Sequence, residues 1–187
     1  MKNTSAGFTL VELIVAMGLF AFVMTLVSSA YFVIIGVDSQ TQGIATGVDN
    51  VSFALETMSR NIRTGVGYGC GLARTDCPGG DSVFSFTSSG GKSVEYARSN
   101  AQGVCGTSGS TVGNGCIIAT VDGVTSPLTD PAVDITSLEF IAVGTTAGDA
   151  EQPYVTVLVS GSISSGSGGK TEDFSLETSA TMRGTDL

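Results

Sequence analysis

This chain has no histidine and no tryptophan. Without histidine it lacks the side chain that most often serves as a general base or metal ligand near neutral pH. A hydrolase built from it would need a Ser–Lys pair, paired carboxylates or another arrangement. Basic residues are scarce as well. Eight Lys and Arg stand against 17 Asp and Glu, giving a net charge of −9. They are scattered in sequence from Lys2 to Arg183, with no run of basic residues of the kind that neutralises phosphates. This argues against nucleic acid as a partner. The acidity reads as a solvated surface. A phosphate-cradling loop of the form G-x-x-x-x-G-K-[ST] is also missing. Gly90-Gly91-Lys92-Ser93 has only its tail and reads as a turn between strands.

What the chain does have is one long hydrophobic run. No residue from Leu13 to Ile35 is charged, and a bilayer crossing needs roughly 20 such residues. A helix over residues 8–35 would be about 42 Å long at roughly 1.5 Å per residue, enough to cross with some tilt. Glu12 sits at its start, after the short polar stretch Met1–Gly7. A carboxylate at mid-bilayer costs roughly 2.5–3.5 kcal/mol on insertion scales, so Glu12 calls for a partner. A secretory signal has an apolar core of about 7–15 residues, and this one is too long. Ser28-Ser29-Ala30 nonetheless imitates a signal cut site, and an uncleaved anchor is a further reading.

Four cysteines, Cys70, Cys77, Cys105 and Cys116, all follow the apolar run. An even count beyond an export-type N-terminus suggests two disulfides in an oxidising compartment. Three pairings are open. Cys70–Cys77 with Cys105–Cys116 is favoured, because each closes a short Gly-rich loop. A zinc site competes, but C-x6-C and C-x10-C are not tight knuckles, and no histidine can complete a mixed site.

After Gly36 the pattern turns amphipathic. Ile44, Val48, Val51, Leu55, Met58 and Ile62 step by three and four, the spacing of one helix face. One helix is therefore expected to continue to about Arg63. Gly36, Gly43 and Gly47 weaken the join by about 1 kcal/mol each relative to Ala. The join reads either as a frayed connector or as a stem that bends in an assembly. The helix is expected to end at Gly65, where Gly65, Gly67, Gly69 and Gly71 alternate.

The remainder reads as β-structure. Half of the 26 glycines fall between Gly65 and Cys116, suggesting long loops with short strands. Ser82–Phe86 and Ser93–Ala97 form a hairpin. Cys116–Val121 and Ile135–Val143 are apolar and β-branched. Val155, Val157 and Val159 alternate within Tyr154–Ile163, the period of a strand with one buried face. A Gly/Ser turn at Ser164–Gly169 leads to a second alternating strand at Thr171–Met182. Residues 65–187 suffice for a single modest core, against which the helical stripe can pack.

The stretch Gly7-Phe8-Thr9-Leu10-Val11-Glu12-Leu13, immediately before the apolar run, resembles the cleavage and methylation motif of type IV pilins and type II secretion pseudopilins. The resemblance implies that a prepilin peptidase cuts after Gly7 and methylates the new N-terminus at Phe8. It implies that Glu12 meets the amine of a neighbouring subunit when helices pack into a filament. Pairing would relieve two charges poorly placed in lipid. The helix dipole favours Glu12 by at most about 1 kcal/mol, too little by itself to offset burial.

A major pilin commonly carries a proline within its membrane helix. Here the prolines are Pro78, Pro127, Pro131 and Pro153, all outside it. Phe53–Arg63 followed by Gly67-Tyr68-Gly69-Cys70 is similar to PilW-type minor pilins and J-type minor pseudopilins. So are Asp134–Phe140, Tyr154–Ile163 and Phe174–Arg183. The resemblance implies an α+β, pilin-like fold: a long N-terminal helix packed on a C-terminal antiparallel β-sheet domain. The implied organisation is a leader at 1–7, a transmembrane helix at 8–35, its amphipathic continuation at 36–64 and an extracytoplasmic domain at 65–187. The implied role is to initiate or cap a pilus or pseudopilus, without catalysis. A tip adhesin or substrate-binding subunit of the same filament is the rival reading. Implied partners are the prepilin peptidase, other minor subunits, the major subunit, an inner-membrane assembly platform and the membrane. The implied location is the inner membrane as a single-pass protein, then the filament.

Acidic neighbours at Glu172-Asp173, and at Asp149 with Glu151, lie in or beside expected turns and read as solvated. Some members of the resembled family bind calcium, but no EF-hand loop is present. No residue is assigned to a metal, and no cofactor is implied.

Overall fold

The computed structural model of the protein describes residues 7, 9–71, 75–105, 115–146, 151–164 and 171–183. The chain divides into two units, residues 1–41 and 42–187. One helix, α1 (Leu10–Thr64), runs through the boundary in sequence. Gly36, Gly43 and Gly47 lie within it and do not interrupt it. It stops where glycine takes over. The Gly65 N–H turns back to the Ile62 carbonyl at 3.0 Å, a tightened last turn.

In the first unit the side chains of α1 are exposed all round, including Leu19, Phe22 and Phe32. In the second unit only one stripe is buried: Gly47, Val51, Ala54, Leu55, Met58 and Ile62. This corrects the expected stripe at one turn, since Val48 is 39% exposed and Gly47 takes the inner position. The cause is a close approach. A Cβ on Gly47 would lie 2.5 Å from the Cγ2 of Ile163, itself a buried, β-branched side chain.

The β-strands form two antiparallel sheets. The first has order β1-β3-β4-β5-β6: Val66–Cys70, Val83–Thr87, Ser93–Ser99, Cys116–Val121 and Val124–Pro127. The second has order β2-β7-β8-β9: Cys77–Asp81, Val133–Val143, Tyr154–Ser164 and Thr171–Thr181. A short helix, α2 (Gln102–Cys105), lies between β4 and β5. Both expected hairpins form, β3 with β4 and β8 with β9. The Gly/Ser turn between β8 and β9 falls on residues 165–170, outside the described residues.

Three strands were not expected from the sequence: β1, which lies in the stretch of alternating glycines, and β6 and β2. β6 follows β5 through a two-residue turn in which Asp122 and Gly123 have φ of 50° and 84°. That is the Asp-Gly hairpin signal, whose left-handed pair matches the twist of the strands. β2 is Cys-Pro-Gly-Gly-Asp, a composition that reads as loop. Its proline is tolerated because β2 lies at a sheet edge.

The helix stripe and the inner faces of both sheets share one core. Phe84 of the first sheet stacks on Phe140 of the second at 5.5 Å. Val155, Val157 and Val159 of β8 are buried at every second position. The helix is also tied by polar contacts. The Asp130 N–H donates to Asn50 Oδ1 at 2.9 Å, and Asn61 Nδ2 donates to the Tyr96 hydroxyl at 3.0 Å. The Tyr68 hydroxyl donates to the Ile62 carbonyl. Burial pushes the Tyr68 phenol up to about 12.

Candidate processing and assembly site

Gly7 is exposed and lies outside α1, which begins at Leu10. A backbone outside regular structure, with glycine at the position, can enter a peptidase cleft without unwinding a helix. Phe8 and the leader residues 1–6 fall outside the described residues.

Thr9 caps the helix. Its Oγ1 accepts a hydrogen bond from the Glu12 N–H at 3.3 Å. Thr9-Leu10-Val11-Glu12 is therefore half of a capping box, with a hydroxyl at the N-cap and an acid three residues on. This second role of Glu12 was legible as T-x-x-E but was missed beside the stronger membrane signal. Capping engages its N–H, while its carboxylate has no ion pair among the described residues.

Glu12 is the only charged residue from Leu10 to Val37. Two hydroxyls further along the run are satisfied within the helix. Thr25 donates to the Phe22 carbonyl at 2.7 Å, and Ser29 donates to the Leu26 carbonyl at 2.8 Å. Such back-bonding lets a hydroxyl sit in hydrocarbon without a partner from outside. α1 is long and apolar enough to cross a membrane. Glu12 thus stands apart chemically from every other side chain of the run.

The four cysteines lie in residues 42–187. Cys70 is bonded to Cys77 with Cα atoms 5.9 Å apart, and Cys105 to Cys116 at 5.4 Å. The first bond joins the end of β1 to the start of β2, linking the two sheets. The second closes the segment that connects α2 to β5. Neither approaches residues 7–12 in sequence, so the cysteines and the motif serve separate parts of the chain.

The acidic candidates do not assemble into a site. Glu172 and Asp173 are exposed at the start of β9, Glu151 precedes β8, and Asp149 falls outside the described residues. Among the described residues no three Cys, Asp or Glu side chains converge as a metal ion would require. One carboxylate has a defined structural use. Asp76 accepts from the Thr145 hydroxyl and N–H at 2.5 and 2.8 Å, and from the Gly144 N–H at 3.2 Å. The Thr145 bonds hold its carboxyl below the usual carboxylate range.

Residues 2–28 match the family model described as the prokaryotic N-terminal methylation motif. No curated protein and no solved structure matches the chain. The motif indicates a type IV pilin-like or pseudopilin-like subunit, a structural part of an assembly. It implies processing by a prepilin peptidase and incorporation into a pilus-like filament. The fold agrees in kind, with one long N-terminal helix packed on antiparallel sheets.

Proposed function

We propose that the chain is a minor pilin or pseudopilin, a low-abundance subunit that starts or caps a type IV pilus or a type II secretion pseudopilus. In this reading residues 1–7 are a leader, 8–35 cross the inner membrane, 36–64 continue the helix outside it, and 65–187 are extracytoplasmic. The peptidase cuts after Gly7 and methylates Phe8. Cutting there removes only polar residues and leaves the apolar helix attached. The new amine is cationic before and after a single methylation. Glu12 then pairs with the amine of an adjacent subunit, and two charges leave hydrocarbon together.

The observation that carries this reading is the methylation motif over residues 2–28, overlapping an apolar run, Leu10 to Val37, whose single charge is Glu12. The lack of proline in α1, and the PilW-like and J-like segments, support a minor role over a major one. Other minor subunits, the major subunit and the assembly platform are the proposed partners.

Mass spectrometry of the mature N-terminus tests the processing step. A methylated Phe8 is expected. A start at Tyr31, or an intact Met1, removes the proposal. Glu12→Ala and Glu12→Val test the assembly step. Both should be cut normally yet enter filaments much less than the parent. Normal incorporation of both variants would count against the pairing of Glu12.

A further inference from the structure

We infer that a groove beside β9 docks an extended, carboxylate-bearing segment of another protein chain, which adds to β9 as a further strand. β9 pairs with β8 from Thr171↔Ser164 to Thr181↔Tyr154. Among the described residues no strand pairs with its other edge. A groove of about 740 Å³ opens between that strand and α1, with Leu55 and Leu176 on its walls. Leu176 and Glu177 both line it. Adjacent strand residues point to opposite faces, so the groove runs along the strand's edge and not over one face. The free main-chain groups of an edge strand are a template for an incoming strand.

Charge selects the occupant. Arg60, Arg63 and Arg183 all line the groove, three of the eight basic residues in a chain of net charge −9. Arg60 is engaged with Glu56, 3.3 Å away. Arg63 and Arg183 have no ion pair among the described residues. The Arg183 N–H donates to the Arg63 carbonyl at 3.0 Å, which holds the two residues side by side. Two carboxylates also line the groove, Glu56 beside Arg60 and Glu177, against three guanidiniums. The overall negative charge is screened beyond about 8 Å at physiological salt, so the local pair governs a bound segment. Paired guanidiniums suit carboxylates through charge-assisted hydrogen bonds.

The same strand sets direction. Its start carries Glu172 and Asp173, and Arg183 follows its end. Carboxylates of the guest are repelled at the first end and held at the second. An antiparallel guest begins near Arg183, so its acids lie at its N-terminal end.

The test needs no filament, so its failure is separable from failure of the processing reading. The full chain in detergent is titrated with a fluorescent peptide of about eight residues, an ordinary strand length. The peptide alternates Val and Thr after two N-terminal Glu. It should bind at least about tenfold tighter than the same peptide with two Lys, and Arg63→Glu with Arg183→Glu should remove that preference. N-methylation of alternate peptide amides should abolish binding by removing main-chain donors, and the amides of residues 171–181 should gain exchange protection. If the charge-reversed pair fails to fold, Arg63→Gln with Arg183→Gln serves in its place. Equal binding of the Glu and Lys peptides, or no binding of either, overturns the inference. So does a dimer of the chain alone that the Arg variants dissolve, since a second copy would then be the occupant.

Discussion

The two portions of α1 have the same secondary structure and opposite surroundings. From Leu10 to Thr41 apolar side chains cover the whole circumference, and none is buried. From Gln42 to Thr64 apolar residues narrow to a stripe, and the sheets cover it. The contrast shows that helicity alone says little about what an element is for. The distribution of apolar residues around the axis separates the two: the first portion is apolar all round, as suits lipid or like helices, and the second is buried on one side in a protein core. It also shows why the polar residues differ. Thr25 and Ser29 fold back onto their own helix, whereas Asn50 and Asn61 reach out to Asp130 and Tyr96.

The sharpest way to break this comparison is to shorten one side chain in each portion. Met58 is fully buried. Met58→Ala should destabilise residues 42–187 by about 2–5 kcal/mol, the usual loss for a large buried side chain. Leu19 is 62% exposed, and Leu19→Ala should leave that unfolding transition unchanged. Chemical denaturation in detergent, followed by the near-ultraviolet signal of the core tyrosines, reads both. A shift from Leu19→Ala comparable to that from Met58→Ala would mean that the portions are not energetically distinct.

Glycine gives a smaller but cleaner contrast. A Cβ at Gly36 meets nothing within 4 Å, whereas one at Gly47 meets Ile163. Gly36→Ala should therefore be neutral or favourable by up to about 1 kcal/mol through helix propensity. Gly47→Ala should be unfavourable by about 1–3 kcal/mol, because Ile163 is locked in the core and cannot yield freely. Thermal melts of the two variants should shift in opposite directions or differ clearly in size. Equal behaviour would show that α1 moves away from β8 at little cost.

This same residue marks how far the sequence could be read. The length of α1, its end at Gly65, the two main hairpins and the alternation of β8 were legible, because each is a local periodicity or a local breaker. Gly47 was not. Its reason for being glycine lies across the fold at Ile163, and no local rule brings those positions together. Val48 drew the stripe because it is apolar, yet only the position of β8 decides which neighbour faces inward. β2 failed for the reverse reason: its Pro and Gly argue against a strand, and its pairing with β7 prevails at an edge. The Asp122-Gly123 turn carried a readable signal that was overlooked. Of the candidate site, the motif that spans Gly7, Phe8 and Glu12 was readable, and the roles proposed for these residues rest on it. The paired Arg63 and Arg183 were not, being 120 positions apart in sequence (183 − 63) and joined only by the closing of β9 against the helix end.

The end of the helix permits the finest distinction. Tyr68 is buried, and its hydroxyl donates to the Ile62 carbonyl, which also accepts from the Gly65 N–H. Tyr68→Phe leaves that carbonyl with one partner, so the loss should be only about 1 kcal/mol. The pH dependence carries the sign. The phenol ionises at about 12 in the folded chain, above its ordinary value of 10.0. The folded state thus favours the protonated form. That contribution is complete below pH 10 and is lost as pH rises through about 12. Alkaline unfolding should consequently begin above pH 10 in the parent and be less steep in Tyr68→Phe. Tyr96, also raised by burial, should retain a residual slope in the variant. A parent and variant with identical alkaline transitions would remove Tyr68 as the group that couples the helix end to base.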